Sequence, residues 1–557
     1  MCGILYTAAQ PTATVVAASR HLSKRGPDAS AEVSVDNHFF SFHRLRINDL
    51  TDNGMQPWVT DDYVFMCNGE IYNSDHLRSL LQVSFKSRSD CEVVPHLISK
   101  FGLTAALAMI EGVFAFVYLD RKAKRVVVAR DAIGIKSLYI GTRDDDTFVR
   151  KGSEMTGILP YWPALFPIEH FVVASEMKAL QSICAPGSVS QFPAGHYFDS
   201  ENNILTRWAT LDFSPARVPS LFPSTGGVCG CDAMREIRTR LTEAVRIRLD
   251  TSDRPVGCFL SGGLDSSLVA AIASKFKKKI KTFSVGIKGA TDLVSAKAVA
   301  YWIGSEHHEL IVTEEEMIHA IPMVIKRIES YDVTTVRAST PMVLLSDWIK
   351  KNFETTVLFS GEGADELSGS YRYFKNAPSV QAFQEESVRL LKDLQYFDVL
   401  RCDKSVSGSG LEARTPFFDM NFVEFYMRLD SRLKMWSGEG TNIEKALLRD
   451  AFRPENDERG LLPEALLDRR KEAFSDGCSS IERPWFKVIE EHVNSIISDD
   501  EYEEKRRQFD VNRPISKEGY WFRAIYEIFY PGRGNTVPYI WRPKWTTEKN
   551  PSARLLE

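Results

Sequence analysis

Partway along this chain the hydrophobic pattern changes period, and that change constrains the fold more than any other feature. Up to about residue 211, apolar residues fall in short runs: His38 to Phe42, Tyr63 to Cys67, Val113 to Leu119, Val126 to Ala129, Ser137 to Ile140 and Phe171 to Ala174. Gly, Asn and Asp turns separate these runs, as between β-strands, and helical stretches intervene near Thr14 to Leu22 and Cys91 to Phe101. From about Asp232 the order becomes helix, strand, helix. Met234 to Leu249 has helical spacing, and the run continues with Pro255 to Leu260, Ser266 to Phe276, Thr282 to Val285, Leu293 to Ile303 and Glu309 to Val312. A long helical stretch from Glu315 and the run Thr356 to Phe359 follow. Strands alternating with crossover-length helices imply a doubly wound parallel sheet. Beyond about Pro378 the chain reads as mostly helical. The expected layout is an α+β layered domain over 2–211, a Pro-punctuated linker over 212–231, an α/β domain over 232–545 with a helical C-terminal part, and a tail over 546–557.

The 557 residues are 44% hydrophobic and 26% charged, the make-up of a soluble globular protein of more than one domain. A net charge of −5 gives no support for a nucleic-acid partner or a basic membrane patch. No apolar run approaches the ~18–20 residues that span a bilayer. The start, Met1 to Tyr6, lacks the basic and apolar stretches of a signal peptide. Nine cysteines are scattered, with only Cys229 and Cys231 close together, so free thiols in a reducing, cytoplasmic setting are expected.

The most informative local stretch is Leu260-Ser261-Gly262-Gly263-Leu264-Asp265-Ser266, between a short apolar strand and an Ala-rich helix. Its glycines let backbone N–H groups turn toward a ligand, and the helix N-terminus adds partial positive charge. Ser261 and Ser266 can donate to phosphate oxygens, and Asp265 is suited to hold Mg²⁺ beside a polyphosphate. No Lys follows the glycines, so this is not a P-loop. A plain Ser/Gly turn capped by Asp is the alternative. A second acidic loop, Ser360-Gly361-Glu362-Gly363-Ala364-Asp365, follows a second strand. Loops after parallel strands meet at one sheet edge, so Asp265 and Asp365 could share one metal, with Glu362 placed to manage protons. The alternative is an acidic helix cap. At the other end of the chain, trimming of Met1 would leave Cys2 with an α-amine of pKa ~7.7–8.0 as its own base.

S-G-G-x-D-S resembles the pyrophosphate loop of ATP pyrophosphatases, which activate a carboxylate by adenylylation. Cys2-Gly3-Ile4 with Arg25-Gly26-Pro27-Asp28 resembles the glutaminase domain of class II, N-terminal-nucleophile amidotransferases. That resemblance implies an αββα fold. It makes Cys2 the nucleophile, has Arg44 clamp the glutamine α-carboxylate, and places Leu45, Arg46, Ile47 and Asn48 on the glutamine-binding strand. Asn68 and the Gly69 N–H would form the oxyanion hole, Glu70 would hold substrate, and Asp90 would bind the glutamine α-amino group.

Glutaminase first and S-G-G-L-D-S second is the order of the glutamine-hydrolysing asparagine synthetase family. Ser330 to Pro341, Gly410 to Phe417, Arg470 to Gly477 and the end, Pro543-Lys544-Trp545 and Asn550 to Arg554, also look like segments of that family. The resemblance implies synthesis of asparagine from aspartate and ATP, with Mg²⁺ as cofactor. Glutamine-derived ammonia would pass through an internal tunnel, and β-aspartyl-AMP would be the intermediate. Thr334, Thr335 and Arg337 would then bind aspartate or pyrophosphate. Leu260 and Val285 would touch adenosine through their main chains, and Lys471 would balance phosphate charge. A homodimer is open by analogy. The competing readings are an amidotransferase acting on another carboxylate, a β-lactam synthetase-like cyclase, which would lack Cys2, and a nucleotide-regulated binding protein. The stretch between Arg143 and Phe171 is longer than the family's hairpin and is expected to loop out at the surface.

Overall fold

The computed structural model describes residues 1–143, 170–213, 230–437, 443–454, 460–548 and 550–555. The expected surface loop between Arg143 and Phe171 and most of the expected linker therefore lie outside the described residues. The chain forms two compact units. One comprises Met1–Thr210, Ser407–Leu411 and Ala524–Pro538; the other comprises Leu211–Val406, Glu412–Arg523 and Tyr539–Glu557.

The first unit stacks two six-stranded sheets. One contains β1 (Gly3–Thr7), β2 (Ala29–Val35), β3 (His38–Arg44), β8 (Tyr139–Thr142), β9 (Phe171–Ala174) and β10 (Ser190–Gln191), in the order β10-β8-β9-β1-β3-β2. The other contains β4 (Trp58–Val59), β5 (Tyr63–Ile71), β6 (Gly112–Asp120), β7 (Arg125–Arg130), β11 (His196–Asp199) and β12 (Ile204–Arg207), in the order β12-β11-β7-β6-β5-β4. Ile4, Tyr6, Phe40 and Phe42 of the first sheet meet Val64, Met66, Val117 and Val128 of the second in one buried cluster. The opposite face of the second sheet, with Phe65, Phe114 and Phe116, packs on Leu77, Leu81, Val94 and Leu97 from the helices Ser74–Leu81 and Val93–Phe101. Strand β1, Gly3–Thr7, is not among the runs expected from the sequence and is buried along its whole length.

The second unit is built on five parallel strands: β13 (Val256–Phe259), β14 (Lys281–Ile287), β15 (Glu306–Val312), β16 (Val357–Phe359) and β17 (Glu412–Arg414), in the order β15-β14-β13-β16-β17. The stretch after Pro378 is mostly helical, as expected, and β17 is the one strand in it among the described residues. Its sequence, Glu412-Ala413-Arg414, reads as polar, and its two charges are buried against each other at 2.8 Å.

Two pieces of chain far from residues 1–210 belong to the first unit. Ser407 Oγ accepts a hydrogen bond from Arg25 Nη1 at 2.9 Å. Arg533 donates to the carbonyls of Gln181, Cys184 and Ala185 at 3.1, 2.7 and 3.2 Å. Within the expected tail, Ser552 Oγ and Ala553 N donate to Asp476 at 2.8 and 3.0 Å, and Arg554 Nε donates to Glu472 at 3.2 Å.

Candidate active sites

In the first unit, Gly3 pairs with His43, so Cys2 lies against the end of β3, its Sγ 3.7 Å from Leu45 O. Arg25 donates through Nε to Cys2 O at 3.0 Å, which fixes the backbone of the thiol-bearing residue. Strand β5 brings Asn68 to the same place. Asn68 Oδ1 accepts from Cys2 N at 2.9 Å, while Asn68 Nδ2 is buried and has no partner. Leaving a buried donor unmatched costs about 1–3 kcal/mol, so its persistence beside a thiol suits an oxygen that arrives with substrate. Gly69 is sterically required: a Cβ there would stand 2.8 Å from Val113 O and 2.9 Å from Phe114 Cβ. Glu70 accepts from Asn48 Nδ2 at 2.8 Å, and Asp90 accepts from Ile71 N at 2.5 Å. Leu45 and Ile47 are buried.

Arg44 differs from expectation. Its Nη1 donates to Thr51 O at 2.6 Å and its Nη2 to the carbonyls of Asn48 and Asp49, so its terminal nitrogens clasp the loop after β3 rather than stand open to a carboxylate. Gly54 makes this possible, since a Cβ there would lie 2.2 Å from Arg44 Nη2. Arg46 points away, to Leu50 O at 2.8 Å and Asp52 at 2.6 Å.

In the second unit, β13 and β16 are adjacent, so the loops after them meet. They touch so closely that a Cβ on Gly361 would stand 2.7 Å from Ser266 N. The helix Leu264–Phe276 starts without a side-chain cap, leaving its first N–H groups for an anion. Ser261 Oγ and Ser266 Oγ are 3.0 Å apart. Gly262 backs this loop at φ +73°, where a Cβ would meet Ala296 N at 2.4 Å. A cavity of about 220 Å³ opens over the two loops. Leu260, Ser261, Gly263, Asp265, Ser266, Val285, Thr334, Ser360, Gly361, Glu362, Asp365 and Lys471, all expected from the sequence, line it.

Lys445 was not expected. It is buried, and its Nζ lies 2.6 Å from Asp265 Oδ2 and 2.5 Å from Asp365 Oδ1. Its backbone is left-handed at φ +61°, a conformation that costs a non-glycine residue about 1–2 kcal/mol. Lys471 Nζ is 2.5 Å from Asp365 Oδ2. Burial alone would raise the Asp365 carboxyl, but the two ammonium groups outweigh it and hold Asp365 well below the usual range. Burial, aided by the neighbouring Asp365 charge, raises Asp265 despite Lys445. Glu362 is raised by burial and by Asp398, against the pull of Arg401, which binds Glu362 at 2.7 Å and Asp398 at 2.9 Å. Glu366, hydrogen-bonded by Tyr371 at 2.5 Å, is pushed up to about 8 by burial and by the charges of Asp398 and Asp365.

Thr335 and Arg337, expected at this site, are not on its wall. Thr335 donates to Asp332, the N-cap of the helix Val333–Asn352. Arg337 is tied to Glu518 at 2.8 and 2.5 Å and to Asn550 at 2.9 Å. A helix turns successive residues about 100° apart, so the face that presents Thr334 and Ala338 to the cavity turns Arg337 elsewhere.

Comparison with known proteins matches both units. The glutamine amidotransferase domain family matches residues 1–209, and the asparagine synthase family matches residues 236–384 and 377–551. The asparagine synthetase [glutamine-hydrolyzing] of Cricetulus griseus is 38% identical over 574 residues, covering 100% of this chain and 98% of that protein. The proteins of the same name from Homo sapiens and Gallus gallus are also 38% identical, covering 100% of this chain and 98% and 99% of their own lengths. Likeness at that level across both units leaves no part of the described fold outside the match, and the chain belongs to the glutamine-hydrolysing asparagine synthetase family.

Proposed function

We propose that this chain makes asparagine from aspartate, taking nitrogen from the glutamine side chain and consuming ATP to AMP and pyrophosphate. The observation that carries the glutamine half is the unmatched Asn68 Nδ2 beside Cys2. Removal of Met1 converts the Cys2 N–H into an amine able to take the thiol proton. Cys2 Sγ then attacks the glutamine amide carbon, and the oxyanion that forms is held by Asn68 Nδ2 and the Gly69 N–H. Ammonia leaves with the transferred proton, and water hydrolyses the glutamyl thioester to glutamate.

The acceptor half rests on Asp265 and Asp365. Both carboxylates converge on Lys445 Nζ, so they face one point between the two loops. Two carboxylates plus substrate phosphates is a donor set that suits Mg²⁺, which Asp265 and Asp365 would hold once the Lys445 ammonium between them moves aside. When bound, Mg²⁺ would neutralise phosphate charge. The loop Ser261–Ser266 and the helix N-terminus behind it hold the phosphates, and Lys471 offsets charge as pyrophosphate departs. An oxygen of the aspartate β-carboxylate attacks the α-phosphorus, giving β-aspartyl-AMP. Ammonia attacks the acyl carbon, Glu362 takes the proton it sheds, and AMP leaves. Among the described residues no helix is long and apolar enough to cross a membrane.

The test is to incubate the purified protein with aspartate, MgATP and amide-¹⁵N glutamine and to follow labelled asparagine, AMP, pyrophosphate and glutamate together. Labelled asparagine in step with AMP and pyrophosphate is expected, and Cys2→Ala should make asparagine only with added ammonia. Glutamate without AMP or asparagine would mean that aspartate is the wrong acceptor.

A further inference from the structure

The cavity wall of the second unit carries two cations that nothing answers. Arg401, Lys445, Arg449, Arg469 and Lys471 each hold a carboxylate at 2.5 to 2.8 Å. Arg372 and Arg470 line the same cavity, and neither guanidinium makes a hydrogen bond or ion pair among the described residues.

The two sit in different settings. Arg470 is exposed and lies between Lys471, which touches Asp365, and Arg469, whose Nη1 reaches Ser261 O at 3.4 Å. That places it with the phosphate loop. Arg372 is half-buried and opens the turn Arg372–Asn376. The tyrosines on either side of it, Tyr371 and Tyr373, each pack on Trp541 with ring centroids 6.1 Å apart, and the Tyr371 hydroxyl is bonded to Glu366. Arg372 is thus held in a rigid aromatic frame, on the chain just beyond Glu362 and Asp365.

The acceptor's α-carboxylate takes no part in the proposed reaction, yet it must enter a cavity that already holds Glu362 and Asp398. A carboxylate taken from water into such a place needs a cation, and a guanidinium fork matches it in two hydrogen bonds. Arg337 is excluded by its bonds to Glu518 and Asn550. We propose that Arg372 binds the α-carboxylate of the acceptor amino acid and sets the preference for an acceptor that carries one. This rests on aspartate being the acceptor.

The test uses the full chain with ammonia as nitrogen source and AMP release as readout. Wild type, Arg372→Gln and Arg372→Lys are compared on aspartate and on its α-amide, whose β-carboxylate is intact. Loss of a charged hydrogen-bond pair should raise the aspartate KM of Arg372→Gln by roughly 10- to 100-fold. The KM for ATP should stay within about twofold, and the preference for aspartate over the α-amide should shrink with the same fold-change. Arg372→Lys should recover part of the loss, since it restores charge without the fork. An unchanged aspartate KM would overturn the assignment. So would a raised KM with the preference over the α-amide intact, because that marks a structural role. Failure of the wild type to release AMP with aspartate would remove the acceptor reading and this assignment with it; the other two outcomes remove only the assignment.

Discussion

An amide nitrogen with nothing to bond contributes most where negative charge is about to form. Asn68 Nδ2 is buried and unmatched, while Asn68 Oδ1 is engaged by Cys2 N. Asn68→Ala is therefore expected to lower the glutaminase kcat by about 10²–10³-fold with little change in the KM for glutamine. Ammonia-dependent synthesis should be untouched, and steady-state kinetics with each nitrogen source check both. Glu362→Gln should do the reverse. Glutamine hydrolysis should persist while ammonia-dependent AMP release falls by about 10²–10⁴-fold, the range for loss of a positioned proton acceptor. The loops that bear Asp265, Asp365 and Glu362 were legible because glycines and acids follow short strands in sequence. Lys445 was not. It stands 180 residues from Asp265, in no motif singled out from the sequence, and the fold alone brings the two together. Arg337 misled for a related reason: its partner Glu518 is 181 residues away, and no local pattern announces that ion pair.

At the scale of elements, local composition decides what could be read. Phe171–Ala174 and Val357–Phe359, buried throughout, still read as apolar runs, whereas β17 is Glu412-Ala413-Arg414, whose charges pair inside the fold at 2.8 Å, and reads as polar. The helix Val380–Asp393, the helix Met420–Arg428 and the turn Ser431–Leu433 enclose a more costly feature, the ammonium group of Lys434. Its Nζ donates to Gln384 Oε1 at 3.3 Å and Tyr426 O at 3.4 Å and lies over the Tyr426 ring, and among the described residues no carboxylate is within ion-pair distance. Burial pulls it down to about 7, against the weaker pull of Asp430. The unfolded chain keeps this proton up to about pH 10.4. Between about pH 7 and that value the unfolded state holds more protons, so the Lys434 contribution makes stability rise with pH across the window. Lys434→Met should flatten that rise, by a change of order 2–4 kcal/mol at most. Denaturant titrations at pH 7, 8 and 9 on both proteins check it, and identical slopes would contradict it.

At the scale of the whole molecule, the change of hydrophobic period separated the two architectures, but not the path of the chain through them. The first unit needs Ser407–Leu411 and Ala524–Pro538 as well as Met1–Thr210. Arg25, buried and bonded to both Cys2 O and Ser407 Oγ, would lose the second partner in a fragment of residues 1–210. Such a fragment should melt well below the full chain and be cut faster by protease. Arg533→Ala, which removes the donor to three carbonyls, should destabilise the first unit by about 2–4 kcal/mol. Thermal melts of the fragment and of the variant check both.

A chain leaves the ribosome from its N-terminus at about 5–20 residues per second. Cys2 lies early in the chain, yet the unit that houses it lacks a piece until Pro538 has been made. The surroundings of Cys2 and Asn68 are complete only after most of the second unit has been synthesised. Discontinuity of the first unit thus ties completion of the fold around Cys2 to synthesis of the chain between residues 211 and 523.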